Sequence, residues 1–305
     1  MNGPKAWPNS WTPQRRDAFL AAQPLDLSPL RDNRPYFFHA TKPRAFLKAL
    51  LGRGDAAQAA NMRLNAFHIL VDLFFVAFTC VVVLMFSPLL LFRRSEFRHQ
   101  ARSLQLGFLL VCFLLGIAYM LIEISVLQRL FVLLGDPTLT FAVTLCAMLA
   151  FTGLGSLLAG RAPSGRLWGF TITISLVAVV AQLAVWAVLP GLVPAIQGSP
   201  LAVRFLAVTV ILAILATPMG MLFPSVLRLV GGSGLNITCW VWGMNGVGSV
   251  LGSVSATLVS MNFGIQATFL VGTMLYGAVA AVTACLRAVG PPGLFGGAVV
   301  HEKSS

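Results

Sequence analysis

Charge is scarce in this sequence, and acid is the scarcer sign. Asp and Glu number 9 in 305 residues, and charged residues of both signs make up 10%. Soluble domains carry about 25%, so an ordinary water-soluble domain is excluded for most of the chain. Cysteine is sparse as well. Cys80, Cys112, Cys146, Cys239 and Cys285 all lie in apolar stretches and form no CxxC pair. That reads as apolar packing, not as a disulfide framework or a thiolate metal site. His39, His68, His99 and His301 are scattered, without zinc-ligand spacing. No metal and no cofactor is therefore expected. The first 65 residues contain no apolar h-region, so no secretory signal peptide is expected. An alternating ten-residue pattern of the kind a transmembrane β-barrel requires is also missing.

What the chain has is oil. Hydrophobic residues make up 57% and mean hydropathy is +0.85. Several apolar runs reach the roughly 20 residues that span a bilayer. The expected fold is all-α: a polytopic transmembrane bundle of about seven spans behind a short irregular N-terminal segment. Residues 1–65 form the extramembrane segment, 66–287 the bundle and 288–305 a Gly/Pro-rich tail. The spans are placed at Ala66–Phe92, Leu104–Leu127, Thr138–Ala159, Leu167–Leu189, Phe205–Leu227, Thr238–Ser260 and Ile265–Leu286. Met261–Gly264 is so short that the last two must be antiparallel neighbours.

The formal net charge of +12 would suggest nucleic acid in a soluble protein. Here the basic residues flank apolar runs, so lipid head groups and topology account for them and no nucleic acid is expected. The loops 93–102, 160–166 and 228–237 and the stretch from Arg287 carry 4, 2, 1 and 2 Lys/Arg; the alternate loops carry only Arg129 and Arg204. The positive-inside rule then puts the first set and the C-terminus in the cytoplasm. Residues 1–65, with 10 Lys/Arg against 4 Asp/Glu, conflict with the outside location that seven spans give them. A re-entrant Ala66–Phe92, leaving six spans, would remove the conflict. Asp72 is placed at the interface. Lys42–Arg53 reads as a short basic helix, lying on the membrane or simply connecting.

The stretch Gly116–Pro137, GIAYMLIEISVLQRLFVLLGDP, organises the rest. It is apolar enough to enter a bilayer yet carries Glu123, Gln128 and Arg129. A carboxylate at membrane depth costs about 2.5–3.5 kcal/mol on insertion scales, so it usually faces a bundle interior or a wet cavity. Gly116, Tyr119 and Glu123 share a helix face by spacing, and Tyr119 can donate to the carboxylate. Arg129 lies about 120° around the helix from Glu123, so a basic partner for the acid must come from another helix. Glu123 reads either as a packing residue held by hydrogen bonds or as a functional group.

Two further stretches are polar within oil. TPMGMLFP, Thr217–Pro224, places Pro218 and Pro224 on either side of Gly220, which predicts a helix break of the kind that lines transport sites or merely kinks a scaffold. WVWGMNGVGSVLGSVSA, Trp240–Ala256, puts Trp242, Asn245, Ser249, Gly252, Ser253 and Ala256 on one face, suited to close helix contact. Asn245 and Ser249 join Tyr119, Glu123, Gln128 and Arg129 as the candidate intramembrane polar site. GLGSLLAGR, Gly153–Arg161, superficially resembles a dinucleotide loop, but no strand precedes it, and glycine packing is expected instead.

Together these stretches resemble the membrane part of bacterial spermidine synthase-like integral membrane proteins. Asp32–Phe38, DNRPYFF, is similar to that family's DDRPFF-like segment, with Asn33 replacing the second acid. Tyr119–Phe131 is similar to its GFMLVEIALIQRF-like helix, Gly220–Pro224 to its GMPFP-like turn and Trp242–Ser253 to its WGxNGxxSVLGS-like helix. The resemblance covers roughly residues 24–287. It implies that Asp32, Arg34 and Pro35 mark the junction to a Rossmann-type aminopropyltransferase-like domain. Residues 1–65 are too short for that domain and hold no glycine-rich nucleotide loop or paired acids, so no aminopropyl transfer is expected of this chain alone. The resemblance makes the chain a fragment, a truncated frame or half of a split protein. The expected role is a non-catalytic scaffold or small-molecule conduit for a partner domain. The alternative is a stand-alone transporter, for instance of a cationic amine paired to Glu123.

Overall fold

The computed structural model describes Ile69, Asp72–Val81, Val83 and residues 102–289. Six long helices fill the main stretch: α1 (Arg102–Leu134), α2 (Pro137–Gly160), α3 (Leu167–Ile196), α4 (Leu201–Gly232), α5 (Thr238–Phe263) and α6 (Ile265–Val289). No strand occurs among the described residues. All six are long and apolar enough to cross a membrane. Of the expected first span, Ala66–Phe92, the described part includes a short apolar helix at Asp72–Val81. Asp32, Arg34, Pro35 and Lys42–Arg53 lie outside the described residues.

Local chemistry sets the helix ends. Gly135, at φ +78°, turns the chain out of α1. Asp136 then caps α2, its carboxylate accepting from the Leu139 amide at 2.8 Å, with Pro137 at the first helical position where a missing N–H is harmless. A single residue, Gly264 at φ +92°, joins α5 to α6. Only glycine takes such a backbone without strain.

The helices run past the expected ends. α1 continues seven residues beyond Leu127 to Leu134, carrying Gln128 and Arg129 inside it. α4 begins at Leu201 and ends at Gly232, so Arg204 and Arg228 are helical too. The expected span limits at Leu127, Phe205 and Leu227 leave Arg129, Arg204 and Arg228 in loops. Their long stems let the charged head reach the interface or a neighbouring carbonyl from within a helix.

The predicted break is also absent. α4 runs unbroken through Pro218 and Pro224, as α3 does through Pro190 and Pro194. Packed neighbours and local adjustments tolerate proline in such helices.

α1 is the hub, with half of its most apolar window buried. It packs most extensively on α5 and α6, while α2 packs on α4 and α3 on α4 and α6. The two most intimate pairs, α1 with α5 and α2 with α4, are distant in sequence. The turn-linked α5 and α6 do touch, but less extensively. Each intimate pair is a glycine seam. A Cβ at Gly116 or Gly248 would strike the facing backbone at Asn245 and Phe113, and one at Gly155 or Gly220 would strike Thr217 and Thr152. Small residues let helices approach where dispersion must drive association. The outer surface carries bare apolar side chains, among them Leu149, Leu157, Val180 and Met274. These helices and this surface define a multi-pass membrane protein whose solvent is lipid.

Candidate functional site

Glu123 lies five residues past the midpoint of α1. At 1.5 Å per residue that is about 7–8 Å from the middle of a core about 15 Å in half-thickness. It is half-buried. One turn before it, the Tyr119 side chain comes within hydrogen-bonding reach of that of Thr152 of α2. Tyr276 of α6, fully buried, lies within electrostatic reach of both Tyr119 and Glu123. Thr152 donates to the carbonyls of Met148 and Leu149 at 2.7 and 3.1 Å, which orients it. No described residue donates a hydrogen bond to the Glu123 carboxylate. The cluster thus joins one acid, two phenols and a hydroxyl from three helices.

The glycine seam connects the cluster to α4. Gly220 sits against the backbone of Thr152, so TPMGMLFP touches the residue that neighbours Tyr119. The contact is made by an intact helix that glycine allows in close.

The other candidates part company with Glu123. Asn245 lies along α1 at Gly116, its carbonyl against that glycine. Gly116 is two turns, about 10 Å, from Glu123. Ser249 donates to the Asn245 carbonyl at 3.0 Å, within α5. Gln128 accepts from Ser260 at 2.7 Å, linking α1 to α5 farther along the same seam, toward the end of α1. Gly248, Gly252 and Ala256 are buried there, whereas Trp242 is 58% exposed and packs edge-on against Phe223 of α4, centroids 4.8 Å apart. Asn245, Ser249, Gly252 and Ala256 of the expected face lie at the α1 seam, joined by Gly248, while Trp242 turns outward. Arg129 lines a separate groove between α1, α3 and α6.

Two participants were missed. Thr152 lay unnoticed in an apolar run. Tyr276 had a signal, because the chain has only three tyrosines and two of them meet here. Also missed were two arginine clamps. Arg228 of α4 donates to the Ala159 carbonyl at 2.6 Å and the Ala162 carbonyl at 2.7 Å, at the end of α2. Arg204, at the other end of α4, donates to the Leu133 carbonyl at 3.1 Å, at the end of α1. Helix ends leave carbonyls unpaired and negative, so both positions suit a cation.

Among the described residues no three His, Cys, Asp or Glu side chains gather as metal ligands. No family model matches the chain, and no curated protein or solved structure matches it either.

Proposed function

We propose that the chain is a membrane domain that acts as scaffold and small-molecule conduit for a soluble partner, with its intramembrane site at Glu123. The observation that carries this reading is the acid itself. An ionisable group inside the core is retained against a cost of about 2.5–3.5 kcal/mol, and this one stands on the hub helix beside Tyr119 and Tyr276. The resemblance to the spermidine synthase-like family supports a Rossmann-type domain or subunit as the partner. The same resemblance supports a bacterial inner-membrane location, and the charge pattern supports placing the loop at Arg161–Arg166 and the C-terminus in the cytoplasm.

A second reading, a stand-alone transporter of a cationic amine, is favoured by the same carboxylate. It has no donor among the described residues and two aromatic rings nearby. An ammonium group suits both, by charge pairing and by attraction to ring faces.

The test is spermidine binding and uptake with the full chain in proteoliposomes, comparing wild type with Glu123→Gln. Binding by wild type that falls about tenfold or more in the variant supports the site, since a charge-assisted contact contributes about 1.5–3 kcal/mol. Net uptake by the chain alone favours the transporter. Binding without uptake favours the conduit for a partner. Equal behaviour of the two proteins sinks the role of Glu123.

A further inference from the structure

Two stretches far apart in the chain are near copies. Thr152–Ala159, TGLGSLLA, matches Asn245–Gly252, NGVGSVLG, at a constant spacing of 93 residues, and Cys146 matches Cys239 at the same spacing. The copies take equivalent places in α2 and α5. Gly155 and Gly248 each press on the backbone of a partner helix, at Thr217 of α4 and Phe113 of α1. Thr152 and Asn245, three residues earlier, receive the partners' own glycines, Gly220 and Gly116. Gly153 and Gly246 both have nothing within 4 Å of an added Cβ. Three residues past the partner glycines, Tyr119 of α1 nears Thr152 of α2, and Phe223 of α4 packs on Trp242 of α5. The match continues in the next helix of each set. Leu176-Val177-Ala178 and Ala184-Val185 of α3 correspond to Leu270-Val271-Gly272 and Ala278-Val279 of α6, 94 residues on.

Corresponding helices are three apart in order, so they cross the membrane in opposite directions. Solute sites in folds of this inverted kind lie near the bilayer middle, between the repeats. Here that level holds Gln182 of α3 and its counterpart Tyr276 of α6. Each is fully buried and within one residue of its helix midpoint. Neither amide atom of Gln182 has a hydrogen-bond partner among the described residues. An orphaned amide in the core is costly and calls for a ligand. Val126 of α1 and Val185 of α3 border one groove. Glu123 and Gln182 lie one turn below them on the same helix faces, toward the bilayer middle. The amide and the carboxylate therefore share a level and a side of the bundle.

We infer that α1–α3 and α4–α6 are inverted copies of one three-helix unit, and that Gln182 and Glu123 form a solute site between them that opens to the two membrane faces in turn. The inference rests on the reading of Glu123 as part of a solute site. It fits a small cationic amine: Glu123 takes an ammonium group and the Gln182 oxygen accepts a further N–H. With Gln182 wholly buried, the form described here is closed to both faces.

The test is thiol labelling of the full chain in proteoliposomes, with its five cysteines changed to alanine and Gln182→Cys added. A membrane-impermeant methanethiosulfonate is supplied from outside or from inside the vesicles, in separate samples of known orientation. Gln182→Cys is expected to react from either side, about ten- to a thousandfold more slowly than a free thiol, because minor open forms are about 0.1–10% populated. Val180→Cys, two residues away and facing lipid, is expected not to react. Reaction from one side only overturns the inference, as does reaction from neither side or equal reaction at Val180→Cys. Should Gln182→Cys fail to fold, Ala178→Cys, one turn away on the same buried face, decides by the same outcomes. Labelling needs no ligand. A chain that reacts from both sides but does not bind spermidine loses the amine and keeps the two-sided site. One that binds spermidine and reacts from one side or neither keeps the Glu123 reading and loses the inverted-repeat site.

Discussion

Arg228 of α4 holds the carbonyl of Ala159, the penultimate residue of α2, at 2.6 Å, and its second terminal nitrogen holds Ala162 at 2.7 Å. Both are charge-assisted bonds at the end of α2, where the Ala159 carbonyl also accepts the Ala162 amide at 3.2 Å. Bonds to charged groups contribute about 1.5–3 kcal/mol each. Arg228→Ala is expected to lower stability in detergent by about 2–4 kcal/mol, measured by denaturant titration of helical signal. Arg228→Lys should recover only part, because an ammonium lacks the planar fork that serves two carbonyls at once.

The glycines of α2 give a contrast within one helix. A Cβ on Gly155 would meet the Thr217 carbonyl, while nothing lies within 4 Å of one on Gly153. Gly155→Ala is expected to force α2 from α4 and cost about 1–3 kcal/mol. Gly153→Ala should be neutral or stabilise by up to about 1 kcal/mol through helix propensity. Equal effects at the two positions would contradict the seam.

Across the other seam, Ser260 donates to Gln128. A double-mutant cycle with Ser260→Ala and Gln128→Leu is expected to show coupling of about 0.6–1.7 kcal/mol, the range measured for such bonds in membranes. Zero coupling would mean that the two side chains do not act together.

Glu123 is expected to trade stability for function. Replacing it with leucine removes an acid from the core, so Glu123→Leu should be at least as stable as wild type, by up to about 3 kcal/mol. It should lose the spermidine binding proposed for wild type. A variant that unfolds would reveal Glu123 as a structural tie and not a ligand group.

Much of this architecture could be read from the residues. Long apolar runs located all six helices of the main stretch, because spanning a bilayer leaves few alternatives for twenty oily residues. Their ends were harder. Arg129, Arg204 and Arg228 look like loop markers in a one-dimensional reading, since a cation in a helix is expensive until its partner is known. For Arg204 and Arg228 the partners are backbone carbonyls about 70 residues away. The prolines misled for a related reason: Pro218 and Pro224 remove donors, but whether a helix breaks depends on what packs around it. Which helix pairs with which was not legible, because Gly116, Gly155, Gly220 and Gly248 announce a close contact without naming its other side. Glu123 and Tyr119 stood out as polar groups in oil. Thr152 did not, because threonine is common in such helices and often bonds only to its own turn.

The arginines at the two ends of α4 give that helix a mechanical character. Arg204 fastens it to α1 at one face of the membrane, and Arg228 fastens it to α2 at the other. It works like a diagonal brace in a frame: prying α1, α2 and α4 apart at either surface must first undo a bolt there. Any gating motion near Glu123 is thereby steered toward sliding or rotation of the remaining helices around a stiffened trio.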